Sequence, residues 1–333
     1  MVFYTLDPNS IGEGNFANPR VVQSMVDSLL LAITGKPDVA AAYKSLLQPD
    51  DIVGLKVSAG PGRAGGTKPA VAIAIAKGLN AAGFSRKSVI VWDRNKEDLI
   101  AAGYRTDSPY YTLQWVDPRR GGYDQEAIVT APIIGRLIWG DSNFGDRPSS
   151  RFSELFTPSH QLSSTSHFAK VLSRKVTKVI NIPSATDSFM TGIHGALANM
   201  TLSNVDNWRR FGKAPEHGNP YVAELYADPM IKGKVVLTVL DALILQYAGG
   251  PYPNPNFTTD NGAIFASTDP VALDATLLEM LEEWRTAAKL PPLAPMTQYL
   301  ESAEWMGLGH SKSSNIRTFR VGRRAAPSPP PDA

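Results

Sequence analysis

Four stretches of this chain set polar and charged side chains directly after apolar runs of strand length, and they are where chemistry could sit. The first begins in DIVGLKVS, with Lys56 and Ser58, and continues through Gly60, Gly62, Arg63, Gly65, Gly66, Thr67 and Lys68 to Pro69. Glycines let backbone N–H groups approach a ligand closely, and a following helix turns its positive end toward an oxyanion. Arg63 and Lys68 add positive charge. Gly60, Gly62 and Gly65 also trace G-x-G-x-x-G after a strand, the outline of a dinucleotide fingerprint, with Asp93 at the end of the next strand. Pro61 and Pro69 fit that outline poorly, because the third glycine should lie inside the helix. A small anion, a dinucleotide and a plain turn loop therefore all stay open, the dinucleotide with least support.

The second stretch is Asp93-Arg94-Asn95. A carboxylate at a strand exit can hold a metal, a hydroxyl or an arginine. It can equally cap the segment Lys96 to Ala102. The third runs from Asn181 to Asn207 and includes Asp187, His194, Asn199, Asn204 and Asp206, with His217 soon after. Histidines, carboxylates and amides together could bind a divalent metal or move protons, although the spacing fits no specific metal motif. On one helix, His194 and Asn199 would stand about 140° apart and need not share a face. A lone histidine is more often structural than ligating. The fourth stretch comprises Asp241 and the run Ser267 to Asp274. Ser267 or Thr268 is placed to cap a helix with Pro270 in its first turn, and Asp269 suits the helix dipole. Asp274 faces inward among apolar neighbours and is a functional candidate.

These exits need a frame. Residues 20–35 carry apolar side chains at helical spacing and stop at Gly35. Strands are expected at 51–58 and 87–92, with a helix over 69–83 between them, which makes a βαβ unit and a parallel pair. Further strands are expected at 175–183, 234–243, 262–267 and 316–321. Helices are expected at 192–200, 221–226 and 269–284. Residues 104–175 mix aromatic strand-like pieces with Gly, Pro and Ser, and read as an irregular, antiparallel insertion or cap. Alternation of this kind predicts an α/β fold, a mostly parallel sheet with helices on both faces. The expected organisation is one domain over 1–324, followed by a disordered proline-rich tail at 325–333.

Composition narrows the classes. A chain of 333 residues, 43% hydrophobic and 19% charged, can bury a large core. Its 33 basic and 31 acidic residues nearly balance, so no strong field draws nucleic acid. The absence of cysteine excludes disulfides, thiolate metal sites and cysteine nucleophiles. No apolar run approaches the roughly 20 residues of a membrane span. Met1 to Asn9 lacks a secretory pattern, so the expected compartment is the cytoplasm as written, or the periplasm if a leader has been removed. No nucleophile elbow, Walker A loop, zincin pattern or paired-acid glycosidase spacing occurs.

Taken in order, GLKVSAGPGRAGGTKPAVAIAIAKGLNAAG, VIVWDR, KVINIPSATDSFMTGIHGALANMTLSNVDN, LTVLDAL, ASTDPVALDATLLEML and YLESAEWMGLG resemble the domain of unknown function 362 family. The resemblance implies an α/β domain found mostly in bacteria and archaea, with no generally established activity. Some relatives carry ferredoxin-like cysteine motifs or export signals. This chain departs from the family around Asp187, where relatives often show lysine and histidine and it has Thr186 and Ser188. It departs again where they often show threonine and lysine and it has His194 and Ala198.

The sequence thus points to one site at the strand ends for a small anionic ligand, with a divalent metal as an option and the reaction and cofactors unassigned. Asp93, Asp187 and His194 are the candidate catalytic groups. Lys56, Ser58, Gly60, Gly62, Arg63, Thr67, Arg94, Asn181, Asn199, Asn204 and Asp206 are the candidate ligand contacts. The rival is a non-catalytic protein, exported or not, that captures a solute or partner.

Overall fold

The computed structural model describes residues 1–117, 121–129, 138–139, 162–163, 166–211 and 221–322. His217, the tail at 325–333 and much of 104–175 lie outside the described residues.

Apolar runs become strands at Val2–Leu6 (β1), Val53–Val57 (β2), Val89–Asp93 (β3) and Thr112–Trp115 (β4). Short strands follow at Tyr123–Ile128 (β5), Ile138–Trp139 (β6), Leu162–Ser163 (β7) and His167–Ala169 (β8). The second half adds Lys178–Ile182 (β9), Ser184–Ser188 (β10), Gly192–Ile193 (β11), Val235–Gln246 (β12), Thr258–Ser267 (β13) and Thr318–Arg320 (β14). One ten-stranded sheet dominates, with the order β14-β1-β13-β12-β9-β2-β3-β4. Within it β12, β9, β2, β3 and β4 run parallel as neighbours, whereas β13 opposes both β12 and β1. β10 carries on from β9 beyond Pro183 and pairs with the far half of β12.

Both faces of the sheet are covered. Val53, Leu55, Val57, Val89, Val91, Ile180 and Ile182 pack with the helices Pro19–Thr34, Val39–Leu46 and Pro69–Ala81. The alternate residues Ile90, Trp92, Val179, Leu240 and Ala242 pack with Ala196–Thr201, Val222–Tyr226, Pro270–Ala287 and Tyr299–Trp305. A strand buried on both sides reads as a continuous apolar run, which is why β2 and β3 were visible in sequence. Helix ends follow local chemistry. Asn18 accepts from the Arg20 N–H ahead of Pro19, and Gly35 closes the first helix at φ 63. Asp269 accepts from the Ala272 N–H at 2.8 Å ahead of Pro270, so the cap is Asp269 rather than Ser267 or Thr268, whose place in the sequence suggests it.

The structure departs from expectation at three places that matter for the site. Residues 192–200 are not one helix. Gly192, at φ 75, and Ile193 pair back onto β10, and the helix starts only at Ala196. His194 therefore precedes the helix and the helical angle to Asn199 does not apply. Asp241 is not a strand tip, because pairing with β13 extends β12 to Gln246, across a register shift between Ala242 and Ile244. Thr112–Trp115, within the stretch read as a cap, is instead the edge strand beside β3.

Gly195 sits where the chain turns from β11 into the helix, and a methyl group there would overlap Asp274 Oδ1. Gly195→Ala is expected to lower the urea midpoint clearly. In an Asp274→Ala background the same change should cost much less, giving a coupling of about 1–3 kcal/mol in a double-mutant cycle. Simple additivity would show that the close approach is unimportant.

Candidate functional site

The four polar stretches meet in one hydrogen-bond network, the fourth through Asp241 within β12. Thr67 Oγ1 donates to Ile182 O at 2.6 Å and accepts from the Ser58 N–H at 2.9 Å, which ties the glycine loop to β9. The Asp241 N–H donates to Pro183 O at 2.9 Å, and Asp241 Oδ2 accepts from the Lys68 N–H at 2.6 Å. Asp93 Oδ2 accepts from the Ala59 N–H at 2.7 Å, so β3 closes on the same loop.

Lys56 is the centre of this network and is wholly buried. Its Nζ donates to Val57 O at 2.7 Å, Asp93 Oδ1 at 2.8 Å and Asn199 Oδ1 at 3.0 Å. Three donors meet three acceptors, and none is left for a ligand. Burial pushes the ammonium down from its ordinary value, while Asp93 opposes that shift by attraction and hydrogen bonding. Asn199 in turn donates to Asn181 Oδ1 at 2.8 Å, and Asn181 donates to Ala196 O at 2.9 Å. The relay fastens the helix Ala196–Thr201 across β2 and β9.

Other candidates prove equally engaged. Asn204 accepts from Trp92 Nε1 at 2.9 Å and donates to Met200 O at 2.9 Å. Asp206 holds the His167 backbone N–H at 2.6 Å and its ring Nδ1 at 2.9 Å, and so serves the β8 region. Asp187 accepts from the Gly250 N–H at 2.8 Å and faces Arg285 at 3.9 Å. Burial raises its carboxyl above the ordinary range, against the Gly250 N–H and Arg285. Asp187 lies opposite Ile193 in the β10–β11 pair, next to His194, while the charges that bear on the His194 ring are those of Lys56 and Asp93.

The helix ends offered to an anion are occupied from within. Gly62–Gly65 forms a separate turn, so the third glycine of the fingerprint is outside the helix that begins at Pro69. The N–H just before that helix is held by Asp241, whose carboxyl burial pushes up to about 6. Asp274 likewise accepts from the Ala196 and Leu197 N–H groups, at 2.5 and 3.0 Å, and burial pushes it up to about 7. Asp93 does not cap the next helix. Asn95 occupies that position, and its side chain bonds Asp98 at 2.8 Å instead.

Two groups stay open. The Ser58 hydroxyl makes no hydrogen bond among the described residues, though the residue is only 3% exposed. The His194 ring likewise has no hydrogen-bond partner among them, while its backbone N–H donates to Thr186 O at 2.9 Å. His194 is half-buried. Desolvation and then the Lys56 charge lower its pKa to about 4, with Asp93 pulling weakly the other way. Gly60 and Arg63 are exposed, Gly62 is half-buried, and Arg63 Nε donates to Ala101 O at 3.3 Å. Arg94 lies over the Trp208 ring at 5.5 Å. Sequence reasoning missed Gln246, wholly buried, which holds the Tyr252 carbonyl and the Asn254 N–H at 2.9 Å each. A glutamine ending the apolar run VVLTVLDALILQ was the available signal.

Two measurements follow from these environments. Lys56→Met strands Asp93 in the interior and should cost about 3–5 kcal/mol in urea unfolding; a loss under about 1 kcal/mol would show that the backbone N–H groups alone satisfy that carboxylate. The second concerns pH. Asp274 and Asp241 are raised, so their contribution is greatest at acid pH and is lost as pH climbs toward about 7 and about 6. His194 is lowered, so its contribution is present at neutral pH and lost as pH falls toward about 4. Asp274→Asn should therefore make stability fall more steeply on acidification from pH 7 to 4, and His194→Gln should make it fall less. Variants with pH profiles parallel to the parent would refute both assignments.

No curated protein matches the chain. A Northeast Structural Genomics Consortium crystal structure of a protein from Thermotoga maritima aligns with a TM-score of 0.39 and 10% identity. That alignment covers 84% of this chain and 61% of the other, so this chain spans about three fifths of that protein's length. The stretch with β9 to β13, the His194 turn and the start of the helix Pro270–Ala287 has a family counterpart: residues 149–279 match the family described as Domain of unknown function (DUF362).

Proposed function

We propose that the carboxyl edge of the parallel strands binds a small anionic ligand, with His194 as a neutral hydrogen-bonding group able to take a proton. The observation that carries this is unused hydrogen-bonding capacity: the His194 ring and the Ser58 hydroxyl have no partner among the described residues, and the charges bearing on the ring are first Lys56 and then Asp93. Groups left open next to a lysine favour an anion over a cation. The open Ser58 hydroxyl, two residues beyond Lys56, supplies a donor of the kind an oxyanion accepts. Arg63 and Arg94 stand on the same loops and add long-range attraction.

Saturation of the other polar groups supports the reading from the opposite side. Lys56, Asp93, Thr67, Asn181, Asn199 and Asn204 act as positioning residues, since their polar atoms are bonded to one another or to backbone. Among the described residues no three His, Asp or Glu side chains gather to hold a metal ion. The proposal therefore rests on the anion alone, with the reaction unassigned. Nor, among those residues, is any helix long and apolar enough to cross a membrane.

The test is a proton NMR titration of the histidines in the whole chain, with His194→Gln identifying the resonance. Inorganic phosphate should raise the His194 pKa from about 4 to above about 5, because a bound anion favours the imidazolium. His194→Ala should abolish phosphate binding and leave the melting temperature nearly unchanged. A ring whose pKa ignores phosphate, sulfate and citrate alike would retire the proposal.

A further inference from the structure

The turn that delivers His194 carries something else. Between β10 and β11 it places Phe189, 55% exposed, beside Tyr252, 65% exposed, on the loop after β12. The two rings stack on each other with centroids 6.0 Å apart and planes 23° apart. Two large aromatic side chains held face to face in water are not core residues, and solvation alone does not favour placing them there.

Their backbones are fixed to the site. The Phe189 N–H donates to Gly250 O at 3.1 Å, and the Gly250 N–H donates to Asp187 Oδ1 at 2.8 Å. Buried Gln246 Nε2 donates to Tyr252 O at 2.9 Å, while its Oε1 accepts from the Asn254 N–H. Gly65 of the glycine loop lies against that same Gln246 Oε1. On the turn itself, Ser188 Oγ accepts from the Met190 and Thr191 N–H groups at 3.1 and 3.2 Å. Rings on an anchored backbone lose little freedom when something docks on them. Phe189 lies three residues beyond Thr186, which is bonded to the His194 N–H, so the chain between them reaches at most roughly 10 Å. A small aromatic acid or aryl phosphate is of a size to fall within that limit.

We infer that Phe189 and Tyr252 form a stacking subsite for a planar aromatic ring carried by the same ligand whose anionic group lies at His194; the inference rests on the anion reading above. The ligand class is then an aromatic or heteroaromatic carboxylate or phosphate, its ring extending the existing stack and its charged end reaching His194. Offset stacking of this kind adds selectivity for planar rings beyond burial of area.

Calorimetric titration of the full chain with inorganic phosphate, phenyl phosphate and cyclohexyl phosphate tests it. Phenyl phosphate should bind about threefold to tenfold more tightly than phosphate and more tightly than cyclohexyl phosphate. Phe189→Ala and Tyr252→Ala, both exposed and expected to fold, should each erase that gain and leave phosphate affinity unchanged. If phenyl phosphate gains nothing over phosphate, or gains no more than the cyclohexyl ester, or keeps its gain in both variants, the subsite is refuted while the anion reading stands. If phosphate and phenyl phosphate both fail to bind, the two readings fall together.

Discussion

A lysine ammonium with no exposed surface governs this protein. Placing Lys56 in the middle of a parallel sheet is unfavourable unless every N–H finds an acceptor, and that requirement reaches into three elements at once. Asp93 must lie at the end of β3, Val57 must turn its carbonyl inward, and Asn199 must be brought across on its helix. Asn199 then needs Asn181, and Asn181 needs Ala196 O. The order of the sheet and the seat of the helix Ala196–Thr201 thus follow from one buried charge. His194 is held by consequence, since with Gly195 it joins β11 to that helix.

A second regularity concerns carboxylates. Asp241 and Asp274 each sit on N–H groups at a helix start facing the sheet edge, positions where a bound anion would otherwise be expected. The two aspartates neutralise those dipoles internally and remove them as ligand sites. A glycine-rich loop ahead of a helix is accordingly weaker support for phosphate binding than it looks from its spacing. What matters is whether the N–H groups remain unbonded once the neighbouring strands are in place. Here the one by Pro69 is taken by Asp241.

Much of the frame was legible in the residues because it rests on local rules. The Gly35 end of the first helix, the apolar runs of β2, β3 and β9, and the helix opened by Pro270 all announce themselves. What was not legible depends on partners distant in sequence. Gly192 to Met200 has helical composition, yet its first residues obey the cross-strand pairing with Asp187 and Ser188. Asp241 resembles a strand exit until β13 is laid against it. Asn204 and Asp206 have the types of ligand residues, but their contacts are Trp92 and His167, more than thirty residues away. Residue type narrows the chemistry, and tertiary contact decides which atoms are spent.

This sets the logic by which a site is separated from its scaffold here. Every polar group at the strand ends is a candidate by composition, so the informative quantity is the donor or acceptor capacity that folding leaves unused. Lys56, Thr67, Asn181, Asn199 and Asn204 have little or none, and their mutual bonds hold the edge rigid. Ser58 and His194 retain theirs among the described residues. A surround bonded to itself leaves those two groups little freedom to lose should anything meet them. Had the same polar residues been left unpaired, the edge would have been hydrated and mobile, and the field at His194 would have been screened away.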